Sequence, residues 1–127
     1  MWVRPNDNLI SYRISTDVST NEGGVSQTEL IVGQWTHVSY VKNDNTLSLY
    51  IDGSLDSRRT LLGETISNDG VIQIGGTSYN SWLGADARFD DFLVFDEALT
   101  TLEVAYLASQ RDPQYATRSV DVIDTDN

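Results

Sequence analysis

Short apolar runs closed by small polar clusters are what most constrain this chain. Gly, Asn, Asp and Ser end nearly every stretch of hydrophobic residues before it is long enough to make a helix. Such punctuation reads as a series of strands joined by turns. Met1–Arg4 is a short strand stopped by Pro5-Asn6-Asp7, and Leu9–Ser15 is a second. Thr16–Gly24 reads as polar loop and Val25–Val32 as a weak strand. The clearest hairpin joins Thr36–Val41 to Leu47–Ile51 through Asn43-Asp44-Asn45, residues that accept turn geometry. Leu47, Leu49 and Ile51 fall on one face, Ser48 and Tyr50 on the other. Asp52-Gly53 ends that strand with a pair suited to positive φ. Val71–Ile74 is a further short strand, closed by Gly75-Gly76. Phe89–Phe95 is apolar except for Asp90 and Asp91, and reads as a central strand covered on both faces.

One helix is signalled. Thr100 and Glu103 have capping-box spacing, each side chain placed to bond the other's orphan N–H. Leu99 and Val104 sit as a hydrophobic staple, and Leu99, Leu102 and Tyr106 form a stripe at helical period. Arg111-Asp112-Pro113 stops the segment. Many strands with one late helix predict an all-β fold, an antiparallel β-sandwich, rather than a parallel α/β sheet.

The 127 residues suffice for one domain. The net charge of −11, with Lys42 the single lysine, repels nucleic acid and anionic lipid. It suits surroundings rich in calcium or salt, and it also serves plain solubility. No apolar run approaches a membrane span, so membrane insertion is not expected. With no cysteine, thiol nucleophiles, zinc ribbons and disulfide frameworks are excluded. Met1–Pro5 has neither the basic start nor the apolar core of a leader, which leaves open a removed leader, an excised piece or a protein that is not secreted.

Several segments together resemble laminin-G-like and pentraxin-like domains, the concanavalin A-like jelly rolls. Gly33-Gln34-Trp35-Thr36-His37-Val38 is similar to their G-x-W-x-H-V entry, and Leu49-Tyr50-Ile51-Asp52-Gly53 to L-Y-V-D-G. Ile72-Gln73-Ile74-Gly75 resembles L-x-I-G, and Phe89–Phe95 with Ala98-Leu99 and Glu103 resembles I-D-E-V-R-I-Y…A-L-S…E-I. Trp2-Val3-Arg4-Pro5 matches W-V-K-P, and Leu9–Tyr12 matches I-L-S-Y. The resemblance runs from Trp2 to Ala108. It implies a jelly-roll sandwich over residues 1–110, lacking the first strand or strands, with an acidic tail over 111–127. Val120 and Ile123 make the tail capable of pairing as a strand, so the tail or a neighbouring subunit is expected to fill the vacant sheet edge. Gly76-Thr77-Ser78 stands where pentraxins carry a calcium-binding acidic run, so the pentraxin double-calcium site is not expected.

Functional expectations follow from both readings. Asp90 and Asp91 lie on opposite faces of an apolar strand, where an unpaired carboxylate is costly. They are read as hydrogen-bonded structural acids or, with Asp86 and Asn80, as ligands of a calcium ion, which needs further oxygens. Tyr79, Asn80 and Trp82 form the best ligand-binding loop, since aromatics stack on sugar faces and amides fix hydroxyls. The alternative is that Trp82 and Tyr79 only cover the end of the sandwich. His37 and Trp35 read as core residues, and Arg58-Arg59 as a solvated loop pair. No Glu-x-Asp-x-x-Glu run accompanies the five glutamates, so the sandwich glucanase chemistry is not expected, and no enzyme is predicted. The expected function is a recognition module for a glycan or protein ligand, calcium-assisted, extracellular or surface-associated. The second reading is a structural or assembly subunit of an extracellular or virion-type polymer, in which a neighbour or the tail completes the sandwich. The partner expected besides the ligand is a second copy, as in a homo-oligomer, or the rest of a larger multidomain chain.

Overall fold

A computed structural model describes residues 1–67, 74 and 86–110. Among the described residues six strands form two antiparallel sheets. The first contains β1 (Trp2–Val3), β2 (Leu9–Ile14) and β3 (Glu22–Glu29) in that order. The second contains β4 (Val38–Asn43), β5 (Thr46–Ile51) and β6 (Ser54–Thr60). One helix, α1, spans Thr101–Ser109. The all-β class with one short helix is thus realised.

The second sheet is a meander built on two tight turns. Asn43 pairs with Thr46 across Asp44-Asn45, and Ile51 pairs with Ser54 across Asp52-Gly53. Asp44 takes φ 49°, and Asp52 and Gly53 take φ 48° and 81°. Two successive left-handed residues match the right-handed strand twist, which is why Asp-Gly closes this hairpin. β6 was not expected from its sequence. Ser54–Thr60 has little apolar periodicity, and the loop reading of Arg58-Arg59 is corrected to strand. Its ladder to β5 supplies the order that its side chains do not.

β5 is the strand buried on both faces. Leu47, Leu49 and Ile51 join Ile10, Tyr12 and Leu61 in the main core, with Ile14, Leu30, Val38 and Tyr40 packed around them. The Tyr12 and Tyr40 rings meet edge to face at 5.7 Å. On the other side Tyr50 and Val41 pack with Val104 of α1 and with Leu99. Burying Leu47 and Leu49 contributes about 1.5–3 kcal/mol each.

That role had been expected of Phe89–Phe95, and the expectation is corrected. The segment forms no strand, and Phe89, Phe92, Leu93, Val94 and Phe95 are 48–68% exposed. The local cause is visible at its acids. Asp90 accepts the N–H of Asp91 at 2.9 Å, and Asp91 adopts φ 50°, which breaks an extended path.

The helix begins as expected. Glu103 N–H donates to Thr100 Oγ1 while Glu103 accepts from the Thr100 N–H at 2.7 Å. Its buried face differs from the expected stripe. Val104 is inside, whereas Leu102 and Tyr106 are 82% and 63% exposed. The helix rests on the Asp52-Gly53 turn, where a Cβ on Gly53 would lie 3.0 Å from Ala108 Cβ and 3.1 Å from Ala105 Cα. Small residues at 105 and 108 set this close approach, and it decides which stripe faces inward.

The two sheets meet along β3 and β6 through side chains. Asp56 of β6 accepts the N–H groups of Gln27 and Thr28, both at 2.8 Å, and its carbonyl accepts from Gln27 Nε2 at 3.0 Å. Arg59 Nε donates to Gly23 O at 2.9 Å, and Glu22 accepts the Leu62 N–H. These bonds blunt two strand edges that would otherwise expose N–H groups. After β6 the chain turns back beside β2, where Thr65 bridges Thr16 and the Ile66 N–H donates to Ser15 O.

Candidate functional site

Strand register assembles the best-formed polar site among the described residues. Trp2 pairs with Ser11, and Arg13 pairs with Gly23. Side chains two apart on a strand share a face, so Arg13 stands diagonal to Trp2 on one side and to Asn21 on the other. The observed contacts follow. The Arg13 guanidinium lies 5.0 Å from the Trp2 ring centroid, and its Nη1 donates to Asn21 Oδ1 at 3.1 Å. Gly23 opposite Arg13 has no side chain to shield it, and a Cβ there would lie 2.0 Å from Tyr12 O.

Beside Arg13 lies an open cleft of about 290 Å³, lined by Arg13, Ile14, Ser15, Thr20 and Ile66. The loop from Ser15 to Asn21 is held by its own bonds. Ser15 Oγ donates to Thr20 O at 3.3 Å, Thr16 N–H to Ser19 O at 2.7 Å, and Asn21 Nδ2 to Thr20 Oγ1 at 3.3 Å. Asp17 and Glu64 tie this loop to the returning chain, the Glu64 N–H donating to Asp17 Oδ1 at 2.9 Å.

The nearby acid, Glu22, is already engaged. Thr16 Oγ1 donates to one of its oxygens and the Leu62 N–H to the other. The Thr16 hydroxyl first, then the Leu62 N–H, hold its carboxyl below the usual glutamate range. Glu103 is likewise lowered by the Thr100 N–H and hydroxyl. In the core, burial pushes the Tyr40 phenol up, with Tyr12 adding to the shift.

The expected site residues fall out differently. Tyr79, Asn80 and Trp82 lie outside the described residues, as does the tail over 111–127. Asp86, Asp90 and Asp91 are exposed rather than set in a buried strand. Among the described residues no three acids, cysteines or histidines come together to hold a metal ion. A calcium ion needs about six to eight oxygens, and Asn80, expected with these acids, lies outside the described residues. Trp35, expected in the core, is 39% exposed in the turn before β4. His37 is half-buried, and its backbone exchanges bonds with Asp52: its N–H donates to Asp52 Oδ1 at 2.9 Å and its carbonyl accepts the Asp52 N–H at 2.8 Å. The Trp2–Arg13–Asn21 arrangement was missed because its residues are separated in sequence. Once Leu9–Ser15 and Met1–Arg4 are paired, alternation brings Trp2 and Arg13 together.

Comparison with known proteins agrees with this architecture. A laminin-G-type family model, described as the concanavalin A-like lectin/glucanases superfamily, matches residues 1–105. No curated protein matches the chain. The crystal structure of an S-layer domain-containing protein from Clostridium thermocellum is similar in fold, with a TM-score of 0.56 and 21% identity. The match covers 85% of this chain and 67% of that one.

Proposed function

The chain belongs to the concanavalin A-like lectin/glucanases superfamily, and on that premise we propose that it is a non-catalytic recognition module for glycan or protein ligands at a cell surface or outside the cell. The observation that carries the reading is the open cleft beside Arg13, with Trp2 and Asn21 fixing the guanidinium at its edge. Recognition sites combine apolar surface with a few placed polar groups, and here a mainly polar lining of Ser15, Thr20 and Arg13 meets the apolar side chain of Ile66. The surface placement draws support from the fold neighbour, which is named as an S-layer domain-containing protein.

Glu22 and Glu103 are not suited to be a hydrolytic acid. A glycosidase needs one carboxylic acid held protonated by a raised pKa. Glu22 and Glu103 are moved the other way by the hydrogen bonds they accept. Both act as structural acceptors for loop and helix N–H groups.

The test is a glycan array probed with the whole chain and with Trp2→Ala and Trp82→Ala. Loss of binding in Trp2→Ala places recognition at the described cleft; loss only in Trp82→Ala places it at Tyr79, Asn80 and Trp82. A chain that binds no glycan on the array and no protein of an extracellular matrix panel removes the reading. The exposed Phe89, Phe92, Leu93, Val94 and Phe95 favour assembly as the second reading, because large apolar patches mark association surfaces. Light scattering showing a monomer at millimolar concentration excludes self-assembly.

A further inference from the structure

We propose that the cleft beside Arg13 takes the carboxylate of a singly acidic sugar, a uronic acid borne by an otherwise neutral glycan. This rests on the recognition reading above and names the ligand class of that same site.

A guanidinium carries five N–H donors in a planar fork suited to a carboxylate. Among the described residues the hydrogen bonds of Arg13 use one donor, the bond from Nη1 to Asn21 Oδ1. The single ion pair there joins Arg4 to Asp7, so Arg13 has no carboxylate partner among those residues. The chain holds 19 acids against 8 basic residues, so an arginine held by an amide and an indole instead of an acid is informative. Trp2 and Asn21 fix the position of the charge without neutralising it. Both are positioning residues. A second guanidinium, Arg59, reaches the same stretch of β3 through Gly23 O.

The rest of the cleft suits the neutral part of a sugar. Thr20 and Ser15 supply hydroxyl groups, and the exposed Ile66 offers a small apolar surface for ring C–H groups. Its volume of about 290 Å³ lies at the small end of ligand pockets, which run from about 300 to 1,000 Å³, so it admits a ring or two. A peptide that binds by strand addition needs an open main-chain edge. Here Ser15 O already accepts from Ile66, and Arg13 and Ile14 are paired to Gly23 and Glu22. That mode is therefore disfavoured, and an acidic peptide held by its side chains is an outcome of the test.

The net charge limits the number of negative groups. A polyanion would carry most of its charges into the field of a protein at −11. One carboxylate in contact with Arg13 feels that guanidinium directly, while charges beyond about 8–10 Å are screened at physiological salt. A single acid on a neutral chain satisfies both conditions.

The experiment is an array on which each uronic-acid oligosaccharide is printed beside its carboxyl-reduced neutral twin, probed with the whole chain. Acidic members are expected to bind about three- to tenfold more tightly than their twins, between the gain of an exposed ion pair and that of a shielded charged hydrogen bond. Arg13→Gln brings the two within about twofold while its melting temperature stays near that of the wild type. Should Arg13→Gln fail to fold, Arg13→Lys keeps the charge and loses the fork, and its selectivity is expected to fall well below that of the wild type. Equal binding of acid and twin overturns the inference and leaves the recognition reading intact. Stronger binding of heparin or polygalacturonate, or of a poly-glutamate peptide, also overturns it. No binding to any member overturns the inference, and the recognition reading falls with it only if the neutral-glycan and matrix-protein panels are also blank.

Discussion

Replacing Asp56 with Ala tests how the two sheets are joined. The carboxylate accepts the N–H groups of Gln27 and Thr28, both at 2.8 Å. A bond from N–H to a charged acceptor is worth about 1.5–3 kcal/mol net when shielded. Both bonds lie at exposed positions, where water replaces the lost acceptor, so about 0.5–1 kcal/mol each is the fitting figure. Asp56→Ala is thus expected to cost about 1–2 kcal/mol, lowering the melting temperature by roughly 3–10 °C for a domain of this size. Urea denaturation measures it directly, as a lower midpoint with an unchanged slope. The pH dependence has a definite sign. Burial pushes the Asp56 carboxyl up, but the Thr28 side chain and the Gln27 and Thr28 N–H groups outweigh it and leave the pKa lowered. A depressed folded pKa contributes stability fully present above the unfolded value of about 4, and lost as pH falls through the folded value. The difference between wild type and Asp56→Ala therefore shrinks below about pH 4. An unchanged urea midpoint at pH 7, or a full difference persisting at pH 2, refutes the reasoning.

Gly53→Ala is expected to destabilise by about 2–4 kcal/mol, combining left-handed strain with overpacking against Ala105 and Ala108; calorimetry reads it, and a neutral result would mean that α1 does not rest on that turn. Leu47→Ala is expected to cost about 2–5 kcal/mol, because Leu47 is fully buried at the centre of the main core; a loss under about 1 kcal/mol in urea unfolding would displace β5 from that centre. If calcium assists through Asp86, Asp90 and Asp91, millimolar calcium raises the melting temperature of the wild type and not of the double variant Asp90→Asn, Asp91→Asn. A wild type indifferent to calcium removes the ion from the reading.

The parts of the fold legible in sequence are those set by neighbours along the chain. The Asp44-Asn45 and Asp52-Gly53 turns need residues that tolerate positive φ, and those residues stand there. The capping box needs Thr100 and Glu103 three positions apart, and both reciprocal bonds form. What was misread depends on partners distant in sequence. β6 has a loop's composition and becomes a strand because β5 pairs with it and Asp56 fastens it to β3. Phe89–Phe95 has a core strand's composition, yet apolar content does not create ladder partners, and Asp91 at φ 50° turns the chain away. The helix stripe was misjudged for the same kind of reason. Periodicity offers several faces, and the approach of Gly53 to Ala105 and Ala108 selects among them.

The candidate site carries this logic one step further. Trp2 stands in the W-V-K-P-like strand but Arg13 in no motif, and in an acidic chain an arginine is ordinarily assigned to the nearest carboxylate. Pairing of Trp2 with Ser11 and of Arg13 with Gly23 instead delivers the guanidinium between an indole and an amide. Two-residue alternation makes that placement sensitive to register, since a slip of one residue would send Arg13 toward the core and Tyr12 into the cleft. The Gly23-Gly24 pair opposes such a slip. A Cβ on Gly23 would strike Tyr12 O, and one on Gly24 would lie 2.7 Å from the Tyr12 hydroxyl. The same two glycines that let β3 close over Tyr12 therefore hold the core in register and keep Arg13 facing outward.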